Sequence, residues 1–398
     1  MAIGMILGVM LQQIHPLSPR HEQEVLLDQT IDYVTTHYVD EVTQQHLVDG
    51  ALTGLFESLD SHSRYLGVDA MREIESDARG HYGGVGLEVA LVDQYFTVIR
   101  TLPGTPADRA GVEPGDRLTA IADESLRGKR IGDVIQMLRG APETDVVLEV
   151  RRGAHRRTLR LRRQNIDTIS VEGERIEQDT GVIRISLFTD KTADEVKNIL
   201  AILNSVATPL QGLILDLRNN PGGLLTSAVD VTDLFLADGL IVRTQGRSPE
   251  STSRYEATVG DIAPDLPLAI LTDGATASAA EVVTGALQDR KRAVVIGSRT
   301  YGKGSVQTLF GIEGKRGIKL TTARYYTPGG KVIDGKGIEP DVDWTGDYEA
   351  LPAFAAMSLR EASAAKRLRD SPLPSTTNQS PAFPTSLDPG LRSQTVNM

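Results

Sequence analysis

Ser278 stands in the run GATASAAE and Lys303 in RTYGKGSVQ, and residues of these two types could together move an acyl group. Ser278 opens SAAEVVTGAL, which reads as a helix, and its small neighbours leave a hydroxyl room to act as a nucleophile. The positive end of a helix also favours an oxyanion formed beside it. The plainer reading is that Ser278 or Thr276 only caps that helix. Lys303 has two readings as well. Gly297, Gly302 and Lys303 follow the spacing of a phosphate-binding loop, but Gly304 stands where that motif needs a hydroxyl for magnesium. GSVQTLF then reads as a strand, whereas a phosphate-binding lysine opens a helix. The phosphate reading fails on both counts, and taking a proton is the alternative to be weighed.

Other chemistries are short of residues. None of the seven histidines falls between 166 and 345, there is no HExxH pair, and the chain has no cysteine. A cysteine nucleophile, a disulfide framework and a His/Cys zinc site are therefore excluded, and the bases available beside Ser278 are lysine or a carboxylate. No metal and no cofactor is called for. A formal net charge of −11 argues against a nucleic-acid partner. The basic run RRTLRLRR (156–163) fits a strand whose Leu159 and Leu161 point one way and whose Arg160 and Arg162 face water.

The elements that must hold these residues can be read in order. Ala2–Leu11 is apolar but too short to span a bilayer, and it reads as the remnant of a signal or anchor that starts upstream, within a segment 1–21. From 22 to 78 the periodicity is helical, with Val25, Leu26, Ile31, Val34 and Tyr38, then Leu47, Ala51, Leu55 and Leu59. This unit offers an apolar face for packing or for a homodimer. From 79 to 165 strands alternate with Gly- and Pro-marked turns, and Ile131, Val134, Ile135 and Leu138 line one side of a helix. From 166 to 345 the strands GVIRISLF, GLILDL, LPLAILTD and RAVVIG alternate with helical patterns, which implies an α/β core with a largely parallel sheet. Ligands of such sheets sit beyond the carboxyl ends of the strands, where DLRNNPGG, TDGATASAAE and SRTYGKGSVQ lie. Residues 346–398 read as a short helix and a disordered Ser/Pro-rich tail.

Two resemblances follow. The glycine loop Tyr82 to Leu87, the turn PADRAGVEPGDRL and the helix at 131–138 resemble a PDZ domain. Backbone N–H groups of Val85, Gly86 and Leu87 would grip a substrate's terminal carboxylate, and its last side chain would enter a pocket lined by Leu87, Val134 and Leu138. Ser278, Lys303 and Gln307, with LILDLRNNPGG, LTTARYYTPGG and GKGIEPD, resemble the C-terminal processing peptidases, also called tail-specific proteases. Thr276 and Ala280 replace two serines of that family's pattern. LDSHS (59–63) replaces its Asp-Pro-His-Ser, a change expected to bear on a turn and not on the site.

That resemblance implies a multidomain α+β serine endopeptidase with a core of the ClpP/crotonase kind, cutting protein substrates near free C-termini. Ser278 would be the nucleophile, Lys303 the base and Gln307 its orienting partner. The N–H groups of Ala279 and Gly222 would meet the oxyanion, with Gly223 the next candidate. As a base, Lys303 must shed a proton that a free lysine holds to a pKa of about 10.4, so a buried apolar setting is expected. Asp216, Arg218 and Asn219 read as a structural ion-pair and turn set, and Glu281 as a supporting carboxylate. The resemblance also implies a cell-envelope, periplasmic or extracytoplasmic location and leaves room for an adaptor or regulator. The competing reading is a PDZ scaffold on an inactive core that captures C-termini without cutting them.

Overall fold

The computed structural model describes residues 19–370 other than 178 and 259, so the apolar run at 2–11 and the tail from 371 lie outside the described residues. Among the described residues no helix is long and apolar enough to cross a membrane.

Helices Pro19–His37 and Gln44–Glu57 come first. Thr43 starts the second by accepting the His46 N–H at 3.2 Å, satisfying one of the donors a helix leaves free at its first turn. Their apolar faces are covered only in part: Ile31 and Phe56 are buried, while Leu26, Tyr33 and Leu55 stay exposed. This region is not wholly helical, as the sequence suggested. Arg64–Leu66 is a strand paired antiparallel with Gly317 to Lys319, far along the chain, before helix Val68–Ala78 resumes.

A two-stranded stem, His81–Gly84 against Gln164–Asp167, carries the chain into and out of the β-rich domain. That domain's antiparallel sheet runs Leu87–Val92, Tyr95–Thr101, Arg117–Ile121, Asp145–Arg152, His155–Arg162, with Leu87–Val92 at the edge. Val85, Phe96, Leu118, Val134 and Leu148 fill its core. On the last strand Leu161 is buried, while Arg156, Arg160 and Arg162 pair with Glu149, Asp145 and Glu143. The basic run is thus a solvated face matched by acids on the neighbouring strand and turn.

The core holds a six-stranded sheet ordered Val171–Ile176, Thr180–Ile185, Gly212–Asp216, Leu268–Thr272, Ala293–Gly297, Val342–Asp343, antiparallel only at its first pair. Every residue of Gly212–Asp216 and Leu268–Thr272 is buried, as continuous apolar strands require when both faces are covered. Alternation decides which layer each side chain meets. Leu213 and Leu215 face the helices Thr192–Asn204, Leu225–Asp233 and Ala279–Asp289. Ile214 and Leu271 face Leu351, Ala355, Ala356 and Leu359 of helix Leu351–Asp370. That last helix, expected to go with the tail, is a structural layer of the core.

A second, antiparallel sheet packs nearby. Its central strand Arg316–Tyr326 pairs with Arg64–Leu66, with Leu240–Gly246 and with Ser305–Ile312. The loop that carries Lys303 feeds directly into Ser305–Ile312, so this sheet positions the lysine.

Candidate active site

Three loops leave the carboxyl ends of neighbouring parallel strands: 217–223, 273–278 and 298–304. Ser278 ends the middle one at the N-cap of Ala279–Asp289, with φ 57° and ψ −117°. A non-glycine residue held there costs about 1–3 kcal/mol, so the surroundings must impose it. Gly222 is part of the cause, since a Cβ on it would lie 2.8 Å from the Ser278 Cβ and 3.0 Å from the Ala279 nitrogen. Thr276 is not a helix cap: its hydroxyl donates to the Leu217 carbonyl at 2.9 Å and accepts the Asp273 N–H at 3.0 Å.

The strongest constraint is Glu281, which has no solvent exposure. Its carboxylate accepts the backbone N–H groups of Ser278 (2.8 Å), Gly302 (2.7 Å) and Lys303 (2.8 Å), and the Thr300 hydroxyl (2.5 Å). Burial pushes this carboxyl up from its ordinary value, and the four donors pull it back. One buried side chain therefore ties the serine turn to the lysine loop. The sequence marked Glu281 only as a supporting carboxylate in the first turn.

Around Ser278, the Ala279 N–H has no acceptor among the described residues. The Gly222 N–H, favoured from sequence as the second oxyanion donor, is already given to Asn220 Oδ1 at 2.8 Å. Asn220 is itself buried and anchored by its Nδ2 on the Ile185 carbonyl at 2.7 Å. Gly223 has an N–H without an acceptor among the described residues, so the open pair is Ala279 and Gly223. The Tyr325 phenol, missed from sequence, lies beside the Ser278 hydroxyl. Burial and the Tyr255 charge push it up to about 12, with the Ser278 hydroxyl working the other way.

Lys303 is half-buried rather than enclosed, and its amine has no hydrogen-bond partner among the described residues. Neighbouring Lys319 is held below the ordinary lysine range by burial first, then by the Lys303 and Arg64 charges. Gln307 makes no hydrogen bond to Lys303. Its Nε2 donates to Ser305 Oγ at 3.1 Å and Thr321 Oγ1 at 3.0 Å. Ser278 and Lys303 thus share an anchor without a hydrogen bond between their side chains among the described residues. Asp216 and Arg218 form a two-pronged pair, at 2.8 and 2.7 Å, and the Asn219 N–H rests on Asp273, in keeping with a structural role.

In the β-rich domain Gly86 has φ 80°, and a Cβ there would lie 2.3 Å from the Thr105 Cβ, so only glycine fits. The carbonyls of Val85 and Gly86 accept the N–H groups of Ala107 and Leu102, both at 3.0 Å. The N–H groups of Val85 and Gly86 have no acceptor among the described residues. Leu87 opens the edge strand beside them. Val134 and Leu138, expected to line the pocket, are 0% and 6% exposed and belong to the domain core. Ile131 and Ile135, at 36% and 38%, are the accessible apolar residues of that helix.

This architecture, a PDZ domain joined to an α/β core with a serine and a lysine at its strand ends, is that of a serine peptidase. The model of peptidase family S41 matches residues 179–344, and a PDZ domain model matches 97–152. A carboxy-terminal-processing protease of Bartonella bacilliformis is 37% identical over 312 residues, 78% of this chain and 72% of that protein. A probable CtpA-like serine protease of Staphylococcus aureus (strain COL) is 34% identical over 322 residues, 80% of this chain and 64% of that one. Among solved structures, the photosystem II D1 C-terminal processing protease superposes with a TM-score of 0.51 at 26% identity, covering 87% of this chain and 99% of that one. The chain belongs to the S41 family of carboxy-terminal-processing serine proteases.

Proposed function

We propose that the chain is an endopeptidase that cuts protein substrates near their C-termini, with Ser278 as nucleophile, Lys303 as base and Gln307 as the group that holds the lysine. The observation that carries this reading is the Glu281 hub, which fixes the backbones of Ser278 and Lys303 to one carboxylate. Ser278 Oγ attacks the peptide carbonyl carbon as its proton passes to Lys303 Nζ. Oxygen charge in the tetrahedral intermediate is met by the Ala279 and Gly223 N–H groups. Collapse expels the amine, which takes the proton from Lys303, and leaves an ester on Ser278. Water, deprotonated by Lys303, then releases the acid product. Substrate binding has to bring the lysine amine within reach of Ser278 and of the Gln307 carbonyl.

The PDZ domain takes up the substrate's C-terminus. The open N–H groups of Val85 and Gly86 receive its carboxylate, a peptide strand adds to Leu87–Val92, and Ile131 and Ile135 contact its side chains. We also propose a cell-envelope location, on the strength of the apolar run at 2–11. Incubating wild type and Ser278→Ala with an unstructured protein and identifying products by mass spectrometry tests the assignment. The account expects C-terminal-proximal cuts that the variant does not make, and full activity in the variant would end it.

A further inference from the structure

Gln307 is held by a chain of bonds that leaves the protease core. It lies directly across from Thr321 on the paired strand, just past a register shift in which Thr322 is the extra residue. Thr321 also meets the N-terminal region. Its backbone N–H donates to Ser63 Oγ at 3.0 Å, and its hydroxyl lies 3.2 Å from Asp60 Oδ1. Asp60 in turn accepts the His62 N–H at 2.8 Å, the Ser63 N–H at 2.7 Å and the Ser63 hydroxyl at 2.9 Å. The first two of these bonds make a local turn, which is all the LDSHS segment was expected to do. A local turn does not account for the reach across 261 positions to Thr321.

Proton counting gives that reach a direction. The Thr321 hydroxyl has one hydrogen and two acceptors within reach, Asp60 Oδ1 at 3.2 Å and Gln307 Oε1 at 3.3 Å, and the charged carboxylate is the stronger of the two, so the hydrogen goes to Asp60. The Thr321 oxygen can then only accept from Gln307, which turns the Nε2 side of the amide toward it. Ser305 Oγ, 3.1 Å from the same Nε2, completes the orientation. Gln307 Oε1 also lies 3.3 Å from the Thr321 oxygen, but with that hydrogen given to Asp60 it receives none and stays open as the acceptor a lysine amine needs. Burial works against the Asp60 charge, but the N–H groups of His62 and Ser63 and the hydroxyls of Ser63 and Thr321 outweigh it, so the carboxyl stays below its ordinary 3.8.

We propose that Asp60, acting through Thr321 with Ser63 as its brace, is a positioning residue for Gln307: it sets the direction of the Thr321 hydroxyl and so presents the Gln307 carbonyl oxygen to Lys303. The N-terminal unit is on this reading part of the catalytic apparatus, docked through the Arg64–Leu66 strand. The inference rests on the proposed roles of Lys303 and Gln307.

The test is a double-mutant cycle on the full chain, measuring kcat and KM for cleavage of a fluorescein-labelled unfolded protein. Thr321→Val keeps shape and strand preference but loses the hydroxyl, Thr321→Ser restores it, and Asp60→Asn removes the charge. Thr321→Val and Asp60→Asn should each lower kcat by about 10- to 100-fold with KM little changed, the loss expected for one hydrogen bond in a charged network. Thr321→Ser should recover most of that loss. In a Gln307→Ala background neither Thr321→Val nor Asp60→Asn should cost anything further. A mere loss of fold stability would act in both backgrounds, so equal losses in the two would overturn the proposal. Wild-type kcat in Thr321→Val would also overturn it. If Gln307→Ala itself keeps wild-type kcat, the role of Gln307 falls, and this inference falls with it.

Discussion

The two halves of the site start from the same carboxylate and end very differently. Ser278 is fixed by a strained backbone, by Gly222 pressed against it, by Tyr325 at its hydroxyl and by Glu281 at its N–H. Lys303 shares Glu281 through its backbone, yet the residue is only half-buried and its amine unpartnered among the described residues, and Gln307 leans on Thr321. On the proposed roles, the serine side is held rigidly, whereas the lysine is held through its backbone and Gln307 by a polar network that reaches the N-terminal region.

The largest expected effect lies on the rigid half. Ser278→Ala should lower cleavage by on the order of 10⁴-fold or more, because an activated oxygen has no substitute. Its melting temperature should stay at the wild-type value or rise, since the residue's backbone is already strained by its surroundings. A variant that still cleaves at a tenth of the wild-type rate would remove the serine from its role.

Glu281→Gln comes next. An amide would turn an N–H₂ toward a ring of four donors, leaving at least one buried N–H or O–H unmatched. Unfolding free energy should fall by about 2–4 kcal/mol, with cleavage nearly lost, as read by urea denaturation and by initial rates. Unchanged stability would mean that the hub does not organise the two loops.

A smaller effect sharpens the contrast through pH. The Asp60 carboxyl sits below its ordinary 3.8, so its contribution is present above that value and is lost as pH falls through the folded one. Tyr325, pushed up to about 12, stays protonated until strongly alkaline pH. Between about pH 5 and 9, then, neither group should shape the rate profile, and Asp60→Asn should scale the profile without moving its limbs. A limb displaced by that variant would place Asp60 in the proton transfer itself.

The smallest effect concerns the PDZ groove. Amidating a substrate peptide's C-terminus should weaken its binding to full-length Ser278→Ala by about tenfold, measured by calorimetry. Ile135→Ser should weaken it similarly. Equal affinity for acid and amide would remove the carboxylate from recognition.

What the sequence revealed follows the range of the interactions. Ser278, Lys303 and the glycine loop at 83–86 were legible because each sits in a short motif whose strand or helix context can be read locally. The alternating strands and helices of the core were legible for the same reason. Gly223 could not be preferred over Gly222, since that depends on where the Asn220 side chain turns. Helical periodicity put Val134 and Leu138 on the apolar face but could not say which edge of that face meets the groove. The link from Asp60 to Gln307 was invisible because the contact depends on strand pairings among Arg64–Leu66, Arg316–Tyr326 and Ser305–Ile312. Helix Leu351–Asp370 was underrated because its small alanines show their value only against Ile214 and Leu271.

The central claim is that a lysine amine, and not a fixed cation, takes the serine's proton. Single-turnover acylation, with rapid quenching and mass spectrometry of the Ser278 ester, measures that step directly in wild type and in Lys303→Arg. Arginine keeps the charge and much of the reach but cannot release a proton at usable pH. The account expects the wild-type ester to form and decay, and no ester above background in Lys303→Arg anywhere between about pH 5 and 9. Acylation of Lys303→Arg at the wild-type rate would contradict it.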